Sequence, residues 1–202
     1  MSTMALIIGL TGSIASGKST ISAMFADLNI PVVDADKISR EVVNPGQKAY
    51  KKIVQTFGED MLQPDKMIDR KKLGSIVFTD ETKRKQLNHI VHPAVREEML
   101  AQRDGYVTSG ASCVVLDIPL LFESKLTNFV GKILVVSVDE KVQLDRLMSR
   151  DKSGETEARQ RIQSQIPIRE KAALADAVIN NNGTKQESYE QLEQILKRWK
   201  VL

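Results

Sequence analysis

Cysteine is almost missing from this chain: Cys113 is the single one among 202 residues. One thiol excludes an intramolecular disulfide and any cysteine-rich metal site. It sits in Ser112-Cys113-Val114-Val115-Leu116, the setting of a small buried strand residue rather than of a reactive thiol. Histidine is scarce too. His89 and His92 are the only two, and two imidazoles with no third ligand nearby make a poor zinc site. Net charge is slight, because 29 basic and 26 acidic side chains leave +3. That balance does not call for nucleic acid as a partner. No apolar run approaches the length of a membrane span. The apolar stretch near the N-terminus reads as a first strand and not as a signal peptide. The expectation is therefore a protein of the reducing cytoplasm, with no membrane and no nucleic-acid partner. Internal repeats and low-complexity tracts are absent as well. An apolar content of 42% suits a globular chain that buries a core.

What is present is concentrated near the start. Gly12-Ser13-Ile14-Ala15-Ser16-Gly17-Lys18-Ser19 fits G-x-x-x-x-G-K-[ST], the phosphate-binding loop. Ala5-Leu6-Ile7-Ile8-Gly9-Leu10 before it reads as a buried strand. After it, Ile21, Met24, Phe25 and Leu28 recur at helical spacing. Strand, glycine loop and helix are the context the motif needs. The glycines let backbone N–H groups converge on phosphate oxygens, and the helix N-terminus favours negative charge. In that reading Lys18 reaches the β- and γ-phosphates, and Ser19 offers its hydroxyl to Mg²⁺.

Further along, Pro31-Val32-Val33-Asp34 reads as a second strand ending in a carboxylate. From about 35 to 106 the chain is polar and helix-prone. Gly58, Pro64, Gly74 and Pro93 punctuate it and predict several short helices rather than one long one. Thr79 is the expected cap of a helix opening at Thr79-Asp80-Glu81-Thr82. The segment is too long for a connection and reads as an inserted helical subdomain. Strands return at Cys113–Asp117, Lys132–Val138 and Ala177–Asn180. Their continuous apolar character suits a parallel sheet covered on both faces. Asn181-Asn182-Gly183 supplies a turn, and Tyr189, Leu192, Ile195, Leu196 and Trp199 mark a closing amphipathic helix. The pattern predicts a three-layer α/β domain, with a core of about 1–34, 107–149 and 172–202, the insert at 35–106, and a charged lid at about 150–171.

A phosphate loop does not separate a kinase from a switch or a motor. Asp34 and Asp36 follow the second strand, where ligands of open α/β sheets sit. Asp34 is placed to accept a hydroxyl proton or to hold a Mg²⁺-bound water if its strand lies close to the first, and Asp36 fits a helix cap. Arg40 pairs with a carboxylate or a substrate phosphate, or stays solvated; spacing does not decide. Asp117 ends an apolar strand, the Walker B pattern of a direct or water-mediated Mg²⁺ ligand. His92-Pro93 reads as a turn or helix start. Arg146 and Arg150 share a helix face at i, i+4. Either they serve phosphoryl charge from a mobile segment or they are surface ion pairs of little worth.

Taken together, the residues resemble the dephospho-CoA kinase family, from Leu6 to about Trp199. The resemblance is carried by Gly9-Leu10-Thr11-Gly12 with the loop through Thr20, Val33-Asp34-Ala35-Asp36 with Arg40, Ile68-Asp69-Arg70, His92-Pro93-Ala94-Val95, Asp117-Ile118-Pro119-Leu120-Leu121-Phe122-Glu123, Leu144-Asp145-Arg146-Leu147 with Arg150-Asp151, and Arg161-Ile162 with Gln165. One departure is Ser13-Ile14-Ala15, where the family more often has Gly-Ile-Gly or Gly-Ile-Ala. The resemblance implies a P-loop fold like that of nucleoside monophosphate kinases, with a five-stranded parallel sheet, a helical acceptor domain and a lid. It implies transfer of phosphate from ATP, with Mg²⁺, to the ribose 3′-hydroxyl of 3′-dephospho-CoA. Asp34 would be the base, Lys18 and Ser19 would handle phosphate and metal, and Arg146 and Arg150 would serve the phosphates or adenine from the lid side. Arg70, His92 and the segment from Asp117 through Leu120 to Glu123 would shape the acceptor site.

The nearest rival is another small-molecule P-loop kinase, such as one acting on a nucleoside monophosphate. A regulatory GTPase fits less well: no Asn-Lys-x-Asp segment occurs, and Asp117 does not open an Asp-x-x-Gly. Lys18, Ser19, Asp34 and Asp117 are all present, which argues against a decayed site. Nothing in the sequence sets the oligomeric state; a monomer is the default expectation.

Overall fold

The computed structural model describes residues 5–202. The chain forms two compact units. One comprises the chain up to Val33 together with Arg103–Leu202, and the other comprises Asp34–Gln102.

The first unit is built on five strands: β1 (Leu6–Gly12), β2 (Val32–Asp34, whose last residue belongs to the second unit), β3 (Cys113–Asp117), β4 (Lys132–Ser137) and β5 (Ala177–Asn180). Their order is β2-β3-β1-β4-β5. β1 runs parallel to β3 and β4, and β4 runs parallel to β5. All five residues of β3 are buried, as a strand covered on both faces requires. Ile8, Leu10, Val115, Leu134 and Val136 form one core with Ile21, Met24 and Phe25 of α1 (Lys18–Asp27) and Leu192, Ile195 and Leu196 of α9 (Lys185–Arg198). Leu28 and Trp199, expected inside these helices, stand just past their ends and pack against the same core. A capping box between Thr184 and Glu187 starts α9.

A second cluster joins α6 (Glu140–Asp151) to α7 (Glu155–Gln163): Leu144, Leu147 and Ala158 pack with Met148 and Ile162, and with Ile14 and Ala15 of the glycine loop. The short α8 (Ile168–Ala173) follows. Residues 150–171, the expected lid, thus belong to the same unit as the sheet.

The second unit contains α2 (Ala35–Glu41), α3 (Lys48–Phe57), a 3₁₀ turn (Glu59–Met61), α4 (Arg70–Thr79) and most of α5 (Glu81–Thr108). Ile53, Met61, Ile68 and Leu73 centre its core, with Leu87, Ile90 and Val91 of α5 packed against them. Two local expectations are corrected here. Pro93 does not break a helix: α5 runs through it for 28 residues, and His92-Pro93 is neither a turn nor a start. A proline inside a helix forfeits one backbone hydrogen bond and costs ~3 kcal/mol. Burial of Met99 after the proline and packing of Leu87, Ile90 and Val91 before it hold both halves in place. Thr79 does not cap α5 either. It is the last residue of α4, and its hydroxyl donates back to the Ser75 and Ile76 carbonyls. The capping carboxylate is Asp80, which accepts the Lys83 N–H at 3.0 Å.

Candidate active site

The strand order reverses at β1: the chain passes to β2 and β3 on one side and to β4 and β5 on the other. Ligands of such sheets bind at the carboxyl ends of strands beside this switch point. β1 ends at Gly12, α1 begins at Lys18, and the loop between them occupies that place. Gly17 adopts φ 85° and Ala15 φ 59°, left-handed conformations that turn the backbone sharply. An added Cβ at Gly17 would stand 2.1 Å from Asn181 Nδ2, and one at Gly12 would stand 2.5 Å from Ser16 Oγ. Both defining glycines are therefore required by space. Ser16 Oγ is buried without a hydrogen-bond partner. With Ser13, Ile14, Ala15 and Thr20 it completes a loop closed by the Ser16 N–H to the Ser13 carbonyl and the Thr20 N–H to the Gly17 carbonyl.

Lys18 and Asp117 meet. The Lys18 ammonium forms an ion pair and hydrogen bond with Asp117 Oδ1. β3 lies beside β1 with Leu10 opposite Asp117, so the carboxylate arrives at the mouth of the loop. Asp117 is 3% exposed, and a buried carboxylate persists through such a partner. Ser19, in the first turn of α1, is exposed.

Four distant side chains hold the loop's backbone. Gln143 of α6, 1% exposed, donates from Nε2 to the Ile14 carbonyl at 2.8 Å. Gln165 Oε1 accepts the Ile14 N–H at 2.9 Å. Asn181, just past β5, donates to the Ser16 carbonyl at 2.8 Å and accepts the Ser188 hydroxyl at 2.8 Å. Lys171 of α8 donates to the Gly12 carbonyl at 3.0 Å and pairs with Glu123 Oε1 at 2.7 Å. That oxygen also accepts the Ile166 N–H at 3.1 Å. Leu120, in the same Asp117–Glu123 segment, is exposed.

The two arginines of α6 differ. Arg146 Nη1 would lie 3.7 Å from a Cβ built on Gly17, so its guanidinium is at the loop. Arg150 instead grips Asp151 through Nε at 2.7 Å and Nη2 at 3.1 Å. Arg161 also pairs with Asp151. The hydrogen bond from Arg150 is the main cause holding the Asp151 carboxyl below the usual range, and the same bond raises the Arg150 guanidinium.

In the second unit, Asp34 caps α2: its Oδ1 accepts the Lys37 N–H at 2.9 Å. Asp36, expected as the cap, is the second residue of the helix. β3 lies between β2 and β1, so the strand carrying Asp34 is not β1's neighbour. Arg40 and Arg70 come together, Arg70 Nη2 donating to the Arg40 carbonyl at 3.1 Å. His89 and His92 are both exposed on α5. Among the described residues no group of three or more His, Cys, Asp or Glu side chains could hold a metal ion, and no helix is long and apolar enough to cross a membrane.

Gln143, Asn181 and Lys171 escape sequence reading as site residues. One signal was available for Gln143: it is a polar residue beside Leu144 on the buried stripe of α6. Asn181 reads only as a turn residue, and Lys171 as one charge among many.

The family model that matches residues 6–187 is that of dephospho-CoA kinase. A curated protein of that name from Oceanobacillus iheyensis is 58% identical over 198 residues, covering 98% of this chain and all of the relative. A solved structure from Thermus thermophilus is 30% identical with a TM-score of 0.82, covering 96% of this chain and 97% of its own. The structure of dephospho-CoA kinase from Campylobacter jejuni is 33% identical with a TM-score of 0.72, covering 95% and 97%.

Proposed function

The chain belongs to the dephospho-CoA kinase family, and from that premise we propose that it transfers the γ-phosphoryl group of ATP to the ribose 3′-hydroxyl of 3′-dephospho-CoA. The observation that carries the reading is the Lys18–Asp117 pair at the mouth of a loop whose backbone is braced from four sides. The residues present fit a nucleotide triphosphate. The two glycines, where a Cβ would meet neighbouring protein atoms, keep the loop backbone in its tight turn, and a buried Ser16 hydroxyl is without a partner. N–H groups of the loop and of the first turn of α1 bind phosphate oxygens, and Lys18 exchanges Asp117 for phosphate. The oxygen donors Ser19 and Asp117 suit Mg²⁺; they would hold it, and its charge would offset that of the phosphates.

Asp34 is assigned as the base on its match to the family's Asp-x-Asp. It takes the proton of the 3′-hydroxyl while the ribose oxygen bonds to the γ-phosphorus and the bond from that phosphorus to the β-phosphate oxygen breaks, releasing ADP. Capping of α2 through Oδ1 fixes the carboxylate's orientation. Arg146, at the loop, stabilises charge on the transferring group. Arg150 joins only by exchanging Asp151 for a phosphate. By their match to the family's pattern, Arg40, Arg70 and His92 of one unit and the Asp117–Glu123 segment with Leu120 of the other are each assigned to recognition of the acceptor. The protein acts in the cytoplasm on small molecules.

An assay of ADP release tests this with dephospho-CoA beside a panel of nucleoside monophosphates, ATP and Mg²⁺ being constant. Turnover with dephospho-CoA far above the panel is expected. Turnover with a nucleoside monophosphate and none with dephospho-CoA refutes the reading.

A further inference from the structure

Lys171 takes no part in the steps above, yet its side chain is completely buried. A buried ammonium persists only where it is paired and hydrogen-bonded, and apolar residues of similar volume often serve stability as well or better. Its partners are specific. One is the carbonyl of Gly12, the first residue of the phosphate motif, at 3.0 Å; the other is Glu123 Oε1, at the end of the Asp117–Glu123 segment, at 2.7 Å. Gly12 has no slack, since a Cβ there would meet the Val136 carbonyl oxygen at 2.9 Å. The same stretch of chain makes two more links, Gln165 to the Ile14 N–H and the Ile166 N–H to Glu123. Residues 165–171 therefore hold the phosphate loop at two points and Glu123 by two bonds to one oxygen. Only Lys171 joins both ends through one atom.

We infer that Lys171 is a positioning residue for phosphoryl transfer: its ammonium fixes the first carbonyl of the phosphate loop and the Glu123 carboxylate in one register. It acts through Gly12 and Glu123 and touches neither substrate. The inference rests on the reading of the loop as the ATP site and of Asp117–Glu123 as the acceptor side.

The test uses the full chain as K171M, E123Q and the double variant, with ATP affinity by calorimetry and kcat and KM per folded molecule. K171M is expected to lower kcat ~10²-fold, the effect of a small misplacement of reacting groups. It should weaken ATP about tenfold, as the loss of a charged hydrogen bond does. The acceptor KM should stay within about threefold. E123Q should lower kcat too, and the double variant should be no worse than the poorer single, because the pair acts as a unit. K171M with parental ATP affinity, kcat and KM, showing only a lower melting point, overturns the inference, and so do additive losses. If K171M does not fold, the double variant removes both charges together, and E123Q with parental kcat overturns the inference. A parent chain that binds ATP but ignores dephospho-CoA counts against the functional reading instead. The ATP affinity of K171M still tests the hold on the loop in that case.

Discussion

A single methyl group at Gly17 probes the construction of the phosphate loop. The backbone there has φ 85°, and a left-handed conformation costs an L residue ~1–2 kcal/mol. The new Cβ would stand 2.1 Å from Asn181 Nδ2, so Asn181 must release the Ser16 carbonyl it now holds at 2.8 Å. Leaving that carbonyl without its partner adds ~1–3 kcal/mol. Gly17→Ala should therefore lose ~2–5 kcal/mol in all, lowering the melting temperature by at least ~4 °C in a chain of this size. ATP affinity should fall with it, because the loop must shift to relieve the contact. Circular dichroism melts and ATP isotherms measure both. Asn181→Ala is the control. In the double variant the contact is gone and the strain stays, so the double should be more stable than the two single losses predict. Gly17→Ala with parental melting point and ATP affinity, or strictly additive losses, would refute the packing described here.

Lys18→Ala should impair both ATP binding and turnover, since it removes the phosphate ligand and the ammonium that pairs with buried Asp117; survival of both properties would remove the loop from the mechanism. Asp34→Asn should cut turnover ~10²-fold or more while stability and ATP affinity hold, because Asn caps a helix as well as Asp does; unchanged turnover would leave Asp34 only its cap on α2. Burial pushes the Cys113 thiol up to about 12, so native protein at pH 8 should resist alkylation, and rapid labelling would contradict its burial. A raised thiol contributes stability that is full below its unfolded value, about 8.5, and is lost as pH climbs toward 12. Cys113→Ala should therefore flatten the alkaline decline in urea midpoint, and an unaltered decline would assign that loss to other groups.

The elements that build the phosphate loop were legible because their signals are local. Gly12 to Thr20 is one continuous motif, and Asp117 closes one apolar strand. The central strands β1, β3 and β4 could be read from their continuous apolar runs, since strands covered on both faces leave no alternation to misread. The braces were not legible, because each joins a side chain to backbone far away in sequence: Gln143 and Gln165 to Ile14, Asn181 to Ser16, Lys171 to Gly12. Such pairs exist only once the sheet has brought β1, β4 and β5 together. Pro93 misled for the opposite reason, as its local preference lost to packing on both sides of it. The difference between Arg146 and Arg150 was equally hidden, since identical spacing on α6 leads one to the loop and the other to Asp151.

The product itself tests the central assignment most directly. The full chain, given ATP, Mg²⁺ and 3′-dephospho-CoA, should release one ADP for each CoA formed, with phosphorus NMR showing the new phosphate on the ribose 3′-oxygen. ADP release without that product, or a phosphate at any other position, would contradict the assignment.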